Sequence, residues 1–434
     1  MFQCSNDFNM YSEKVFSNGF KLITAPTRNT KTATILILVP VGSRHENRGL
    51  YGASHFIEHL MFKGTSRRPS SLAIARELDK IGAQFNAFTS KDHTGYWVKT
   101  TANKVNVSFD VLSDMLFRSL FRLAEFEQER NVILEEIKMY EENPLLYIDE
   151  FFEKTIYHNH ILGKPISGRS IDIKKMSLTK LISYRNRFYQ PSQMVMAAAG
   201  NIDKSQIIKL SQKYFANNSG EKTKNKYNAF HVNKKKNNRV KVLNRNIKQA
   251  QIALGGFALP YGDPQTETLL LLSIILGGNM SSRLFGEVRV KRGLAYFIKT
   301  ELNPYQDVGS YTIRAGVDKE KVSLTLRVIL GELKKIKKYG VSKEELKRAK
   351  DYFQGVMLLS LEDSSTLSSW YAKQSLFLKQ IITPQQKLER IKMVRIEDIK
   401  SLANRLFKKN SFNLAVIGPF KSSAPFLRVL GEGI

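Results

Sequence analysis

The sequence predicts an α+β protein made of two homologous domains, each an antiparallel sheet packed by helices. Its 434 residues exceed the usual size of one domain, and 42% apolar residues with only 12 prolines are typical of a globular chain with a large core. A polar, basic segment at 217–242 interrupts the apolar periodicity almost at the midpoint. Segments on either side of it resemble each other in the same order, which indicates an internal duplication.

The duplication begins with "IARELDKIGAQFNAF" and "LFGEVRVKRGLAYFI", which each predict a helix that ends at a glycine and is followed by a strand. In both halves there follow a strand with alternating apolar and polar residues, a helix, and near the end a strand that stops at a glycine. The matched positions are Gly82 and Gly293, Gly95 and Gly309, Leu112 and Leu330, Asn186 and Asn404, and Gly200 and Gly418. We therefore predict domains at 1–216 and 237–434, joined by a polar linker at 217–236.

The stretch "SHFIEHLMFKGT" predicts a metal site in the first domain. On a helix over 53–63, His55 and His59 lie on one face about 6 Å apart, a separation that one metal ion bridges. Two buried, hydrogen-bonded histidines are the ordinary alternative, but this spacing is rare in a chain with seven histidines. A catalytic zinc commonly has an incomplete protein shell, and a nearby carboxylate takes the proton of the attacking water. Glu58 suits that role, and we predict one Zn²⁺ per chain.

The third ligand is predicted on a later helix, "FEQERNVILEEIKMY". Three apolar residues at steps of seven form its inward stripe: Phe126, Ile133 and Tyr140. Glu129 and Glu136 are interleaved with them, and a carboxylate on a core face is costly unless it is paired or binds a metal. Glu136 is therefore the predicted ligand and Glu129 a partner that orients a ligating histidine. Glu135 lies about 100° around the helix and should face solvent.

The order HxxEH is the inverse of HExxH and is the inverzincin signature. With "GSRHENRGLYGASHFIEHLMFKGT", a glutamate helix after it and "LGGNMSSRLFGEVRVKRGLAY" in the second half, the chain resembles the insulinase/pitrilysin family of zinc peptidases. It is most similar to the branch related to mitochondrial processing peptidase. The resemblance implies a LuxS/mitochondrial processing peptidase-like metallohydrolase fold, whose two halves pair as clamshell components around a chamber that accepts unfolded peptides. It also implies His55, His59 and Glu136 as zinc ligands, Glu58 as catalytic base and Glu129 at the second acidic position.

The same resemblance implies substrate contacts. Arg289 and Tyr296 coincide with the family's substrate-binding arginine and tyrosine, and both side chains are suitable donors to a peptide carbonyl. Without the resemblance, the preferred interpretation would be a surface cation for Arg289 and a core aromatic for Tyr296. Asn86 and Ala87 lie in "AQFNAFTS", which resembles the edge strand onto which substrate backbone adds. An ordinary sheet strand remains the alternative there.

Composition restricts the compartment and the partners. Cys4 is the one cysteine, no signal peptide is evident, and the longest apolar run, Leu269 to Gly278, is about half the length of a membrane span. We therefore expect a cytoplasmic protein without a membrane partner. The net charge of +29 would attract polyanions, but the basic runs lack interleaved stacking aromatics, so we expect no nucleic-acid partner.

These observations together predict a zinc metalloendopeptidase that cleaves extended, unfolded or presequence-like peptides. The chain has one half with zinc residues and one with the Arg289 and Tyr296 pair. We therefore expect a homodimer in which this pair completes the partner subunit's site, with a heterodimer with a related chain as an open alternative. A non-catalytic scaffold or partner subunit of a processing-peptidase-like complex, and a polyanion-binding protein, are the alternative functions.

Overall fold

The computed structural model describes residues 11–28, 30–218, 227–232 and 239–432, in which the strands form a six-stranded and a five-stranded sheet. The first sheet has the order β1-β2-β6-β3-β5-β4, and its strands are β1 (Ser12–Val15), β2 (Lys21–Pro26), β3 (Thr32–Val39), β4 (Gln84–Thr89), β5 (Thr94–Thr101) and β6 (Val195–Gly200). The second has the order β7-β11-β8-β10-β9, and its strands are β7 (Arg239–Asn244), β8 (Gln249–Ala258), β9 (Ala295–Pro304), β10 (Gly309–Asp318) and β11 (Asn413–Gly418).

Helices cover the faces of both sheets. Those that follow the first strands are α1 (Ala53–Leu60), α2 (Ser71–Asp79), α3 (Val105–Arg118), α4 (Leu123–Glu142), α5 (Pro144–Ile156), α6 (Ser170–Lys174), α7 (Leu178–Phe188) and α8 (Lys204–Ser211). The later ones are α9 (Thr266–Ser273), α10 (Val322–Tyr339), α11 (Lys343–Leu361), α12 (Ser364–Phe377), α13 (Pro384–Met393), α14 (Ile396–Leu406) and α15 (Ala424–Gly431). Three π-helical stretches extend or precede these, at Gln212–Ala216, Ile274–Gly278 and Phe285–Val290.

The predicted fold class and the internal duplication are confirmed by the two strand orders. The equivalents of β2, β6, β3, β5 and β4 in the second sheet are β7, β11, β8, β10 and β9, in the same spatial order. Each sheet is mixed rather than purely antiparallel, because β2 pairs parallel with β6 and β7 pairs parallel with β11. Parallel neighbouring strands are joined by a long crossover connection. The alternation of apolar and polar residues along one strand does not show whether a distant segment pairs with it in parallel.

The first compact unit consists of Met1–Ile137, Pro165–Asn228 and Val356–Lys387. Its central strands β3 and β6 are buried on both faces, which is typical of strands with helices on either side. One covering helix is α12, which packs on β3 and β6 although it comes late in the sequence. A hydrogen bond between the hydroxyl groups of Thr34 and Ser364, 2.8 Å long, joins the start of α12 to β3.

The second compact unit consists of Lys138–Lys164, Ala229–Gly355 and Leu388–Ile434. Here α5, from the first half of the sequence, packs on β8 and β11. Small residues allow this close approach: a Cβ atom at Gly255 would lie 2.9 Å from the Phe152 ring and 2.0 Å from the Tyr311 carbonyl oxygen. Each unit therefore contains one complete α-helix from the other half of the sequence, α12 in the first and α5 in the second.

The predicted boundaries at 216 and 237 stay a prediction. Much of the predicted linker 217–236 lies outside the described residues, as does Cys4. The apolar run from Leu269 forms α9 and the π-helical stretch after it and is largely buried. Within the described residues, every helix is too short or too polar to cross a bilayer. The cytoplasmic location and the absence of a nucleic-acid partner stay predictions.

Candidate metal centre

Helix α1 carries the two histidines, and its start is fixed by a buried carboxylate. Gly52 precedes the helix with a φ of +93°, a left-handed conformation that favours glycine, and it has no side chain to cap the first turn. Glu46 supplies the cap from six residues earlier. Its Oε2 accepts a 2.7 Å hydrogen bond from the Gly52 amide, and its Oε1 accepts a 2.8 Å hydrogen bond from the Ser54 amide. The carboxylate thereby holds the orientation of α1.

We expect Glu46→Ala to lower the free energy of unfolding of the metal-free protein by about 3 kcal/mol, because two buried amides lose their hydrogen-bond acceptor. Urea denaturation followed by circular dichroism measures this change. Glu135→Ala removes an exposed carboxylate from α4 and serves as the control, with an expected change within about 0.5 kcal/mol. Equal losses in the two variants would contradict a capping role for Glu46.

The opposite face of α1 anchors it in the core. Phe56, Ile57 and Leu60 are fully buried, so the helix presents the intervening residues on its other side. The ring of Phe56 stacks on that of Phe126 in α4 with centroids 4.8 Å apart. This contact fixes the approach of the two helices that carry the predicted metal ligands, and it follows from the amphipathic pattern of both sequences.

Helix α4 confirms most of the predicted pattern. Phe126, Ile133 and Glu129 are buried, and Glu135 is exposed, as expected. The prediction was wrong for Tyr140, which is 40% exposed. An α-helix drifts by about 20° for every seven residues, so a stripe drawn at steps of seven leaves the core face after two steps. Ile137 takes the buried position instead.

Side chains from α1 and α4 converge on one point in the first unit. The His55 Nε2 atom lies 3.7 Å from Glu136 Oε2, and the His59 Nε2 atom lies 3.6 Å from the same oxygen. The three ligand atoms all lie within 4.8 Å of one another. Tetrahedral zinc with bonds of about 2.0 to 2.1 Å needs ligand atoms about 3.4 Å apart. His55, His59 and Glu136 therefore fit a zinc ion, and no second such group occurs among the described residues.

The two histidines differ in their electrostatic environment. Burial, assisted by neighbouring His59, lowers the pKa of His55 to about 4, so its imidazole is neutral and ready to bind a metal. Burial also lowers the pKa of His59, but hydrogen bonds with Glu129 and Glu136 outweigh it and raise this pKa to about 9. A ligating imidazole must be neutral, so metal binding displaces a proton from His59.

Glu129, on α4, contacts the second histidine of α1. Its Oε2 atom lies 3.0 Å from His59 Nδ1, which leaves the Nε2 atom of that ring directed toward Glu136. The side chain of Glu129 is only 2% exposed. The sequence analysis missed a third member of this group, Lys63, whose Nζ atom lies 2.6 Å from Glu129 Oε1. Its spacing of four residues from His59 was the available signal.

Glu58 lies beside the metal ligands and is fixed by a strand. The hydroxyl group of Thr89, at the end of β4, donates a 2.5 Å hydrogen bond to Glu58 Oε2. Burial raises the pKa of Glu58, and this hydrogen bond acts in the opposite direction. Thr89 was not among the predicted site residues, because nothing in the local pattern shows that the end of β4 reaches α1.

The strand with Asn86 and Ala87 forms the edge of the first sheet, as the resemblance implied. β4 pairs with β5 on one side and stands last in the strand order of the described residues. Asn86 is exposed and Ala87 is buried. The Asn86 Oδ1 atom accepts a 2.8 Å hydrogen bond from the Ala87 amide, so this polar side chain lies along the strand backbone.

Arg289 and Tyr296 lie together in the second unit, whereas the two candidate metal-binding histidines belong to the first. The Arg289 guanidinium carbon is 5.8 Å from the centroid of the Tyr296 ring and 4.9 Å from that of Phe285. Tyr296 is the second residue of the edge strand β9 and is 73% exposed. Its ring is therefore not the core aromatic of the alternative interpretation.

Comparisons with known proteins match both halves of the chain. The family model described as insulinase (Peptidase family M16) matches residues 21–170, and the one described as Peptidase M16 inactive domain matches residues 175–353. The "Uncharacterized zinc protease YmxG" of Bacillus subtilis is 35% identical over 404 residues, which cover 93% of this chain and 97% of that protein. An uncharacterized zinc protease of Rickettsia felis is 32% identical over 410 residues, 93% of this chain and 96% of that protein.

Solved structures show the same fold. A protease from Helicobacter pylori superposes with a TM-score of 0.90 at 23% identity, over 95% of this chain and 100% of that one. A peptidase M16 inactive domain from Pseudomonas fluorescens superposes with a TM-score of 0.88 at 18% identity, over 95% of this chain and 98% of that one. Both likenesses extend over the two sheets described above.

Proposed function

The chain belongs to the insulinase family of peptidases, M16, and from this premise we propose that it is a zinc-dependent endopeptidase that hydrolyses extended or unfolded peptides. The observation that carries the proposal is the convergence of His55, His59 and Glu136, with Glu58 beside them. All seven histidines of the chain precede residue 232, so only the first domain has this set. The relatives named zinc proteases support zinc as the metal.

His55, His59 and Glu136 would hold the zinc ion. When bound, zinc polarises a peptide carbonyl and makes water a better nucleophile near neutral pH. Glu129 keeps the ring of His59 in the orientation that directs Nε2 to the metal position. The lowered pKa of His55 keeps its ring unprotonated.

Glu58 would act as general base and then as general acid. Its carboxylate accepts a proton from the attacking water and passes it to the amine of the leaving peptide. The Thr89 hydroxyl holds one carboxylate oxygen, which leaves the other for proton transfer. Burial raises the pKa of Glu58, which brings the group nearer to the operating pH that proton transfer requires.

The substrate would bind in extended form along β4. An edge strand offers backbone groups for β-addition, which selects main-chain conformation more than side chains. Asn86 and Ala87 would supply contacts there, and the Asn86 amide would exchange its bond to the Ala87 N–H for one to the peptide. Arg289 and Tyr296 would donate to the substrate carbonyl in an enclosed chamber that excludes folded proteins.

Hydrolysis of a mixed pool of unstructured peptides tests the proposed function. The zinc-loaded full-length chain should cleave internal bonds, with products identified by mass spectrometry. A chelator should stop cleavage and added zinc should restore it. A folded protein that contains the same peptide sequence serves as control and should stay intact. Absence of zinc-dependent cleavage from the whole pool would contradict an endopeptidase.

Mixed dimers test whether the Arg289 and Tyr296 pair acts on the partner subunit. Glu58→Gln and Tyr296→Phe should each inactivate a homodimer. Co-expressed with different tags and purified as mixed dimers, they should give about half the wild-type rate, because one of two sites is intact. Inactive mixed dimers, or an active wild-type monomer in size-exclusion chromatography, would contradict this arrangement.

A further inference from the structure

A lysine just beyond α1 completes a chain of charged contacts that ends on a predicted zinc ligand. Lys63 follows the helix in a turn, where its amide donates to the Leu60 carbonyl with a 3.1 Å bond. Its Nζ atom lies 2.6 Å from Glu129 Oε1, while Glu129 Oε2 lies 3.0 Å from His59 Nδ1. One carboxylate therefore connects the ammonium group to the imidazole.

The ammonium group of Lys63 and the carboxylate of Glu129 form a close ion pair, 2.6 Å between Nζ and Oε1. The Glu129 side chain is almost completely buried and that of Lys63 is partly exposed. A buried carboxylate needs a compensating charge. Lys63 supplies it from the side opposite to His59.

The two proposed ligand histidines differ in the contacts of their Nδ1 atoms. Within the described residues, His55 Nδ1 is buried without a hydrogen-bond partner, whereas His59 Nδ1 contacts Glu129. A carboxylate on the far nitrogen makes an imidazole a stronger donor to a metal. Of the two histidines, His59 is therefore the one that transmits electron density from a carboxylate to the metal position. The positive charge that balances Glu129 determines how strong this donation is.

We propose that Lys63 is a positioning residue that limits the negative charge at the metal centre by sharing the Glu129 carboxylate with His59. The inference rests on the proposed function as a zinc peptidase. Glu58, Glu129 and Glu136 bring three carboxylates, and one ammonium group with one divalent cation balances them. Without Lys63, the site attracts a cation more strongly and leaves less positive charge for the peptide carbonyl.

This inference predicts that loss of the Lys63 charge keeps or increases the metal affinity while it lowers the turnover. Lys63→Met should bind zinc as tightly as the wild type or up to about 10-fold more tightly, since a positive charge near the cation is lost. Its kcat should fall by about 10-fold or more. Lys63→Arg keeps the charge and should restore both values to within about 3-fold of wild type.

The experiment measures zinc affinity by competition with a chelator, the electronic spectrum of the cobalt-loaded protein, and kcat on an unstructured peptide. Lys99→Met serves as a matched control, because Lys99 pairs with Asp363 at the start of α12 instead of with a residue of the centre. This control should change none of the three. The cobalt spectrum should shift in Lys63→Met and not in Lys63→Arg.

Two results would overturn the inference. A loss of zinc affinity of about 10-fold or more in Lys63→Met alone would mean that Lys63 builds the site instead of tuning it. Unchanged affinity, spectrum and kcat would mean that it has no influence on the centre. If the wild type hydrolyses no peptide, the proposed function fails, and zinc affinity with the cobalt spectrum still decides the role of Lys63.

Discussion

Peptide hydrolysis by Glu58→Gln is expected to fall by about 10³-fold, while one zinc ion per chain stays bound. The amide has nearly the same shape as the carboxylate and accepts the Thr89 hydroxyl in the same place, so the site keeps its form. It has no basic oxygen to take the proton of the attacking water. The loss therefore falls on kcat rather than on metal binding.

Steady-state kinetics and elemental analysis of the same preparation measure the two quantities for Glu58→Gln. Circular dichroism and thermal unfolding check that the fold is preserved. Hydrolysis at the wild-type rate would remove Glu58 from the reaction. Loss of zinc from the variant would assign it to the metal shell instead of to proton transfer.

The candidate metal-binding residues were predictable from the sequence because the placement of each depends on one helix. The spacing of His55 and His59 fixes their shared face on any α-helix, and the alternation of Glu129 with apolar residues fixes its burial. The prediction failed at Tyr140, where a period of seven was extended too far along a helix with a period of 3.6. Local periodicity is reliable over about two turns and loses accuracy beyond them.

The contacts that other elements make with α1 and its side chains could not be predicted from the sequence. Glu46 reaches the start of α1 from a loop, and Thr89 reaches Glu58 from the end of a strand. Both are common residue types without a distinguishing spacing. The packing of α1 against β4 brings Thr89 to the site, and the packing of the turn at Ser43–His45 against α1 brings Glu46. The same holds for α5 and α12, whose positions on the sheets depend on small residues in strands distant in sequence.

Loss of the carboxylate in Glu136→Gln is expected to weaken zinc binding by more than about 100-fold, because removal of a residue that merely orients a ligand already costs 10- to 100-fold. Glu136 Oε2 lies within 3.7 Å of the Nε2 atoms of both histidines, and among the described residues Glu136 is the carboxylate that groups with them. Glu135→Gln is the matched control. It removes an adjacent, exposed carboxylate from the same helix and should keep the wild-type affinity.

The weaker zinc binding of Glu136→Gln should also reduce the stabilisation of the folded chain by zinc. This measurement distinguishes a metal ligand from a structural residue. Zinc stabilises the folded chain in proportion to the logarithm of its free concentration over Kd, so a 100-fold weaker Kd removes about 2.7 kcal/mol at fixed free zinc. Chemical denaturation of Glu136→Gln with and without zinc measures this difference directly. The metal-free variant should unfold close to the metal-free wild type, because Glu136 is only half-buried. A zinc-dependent stabilisation equal to that of Glu135→Gln would exclude Glu136 as a ligand.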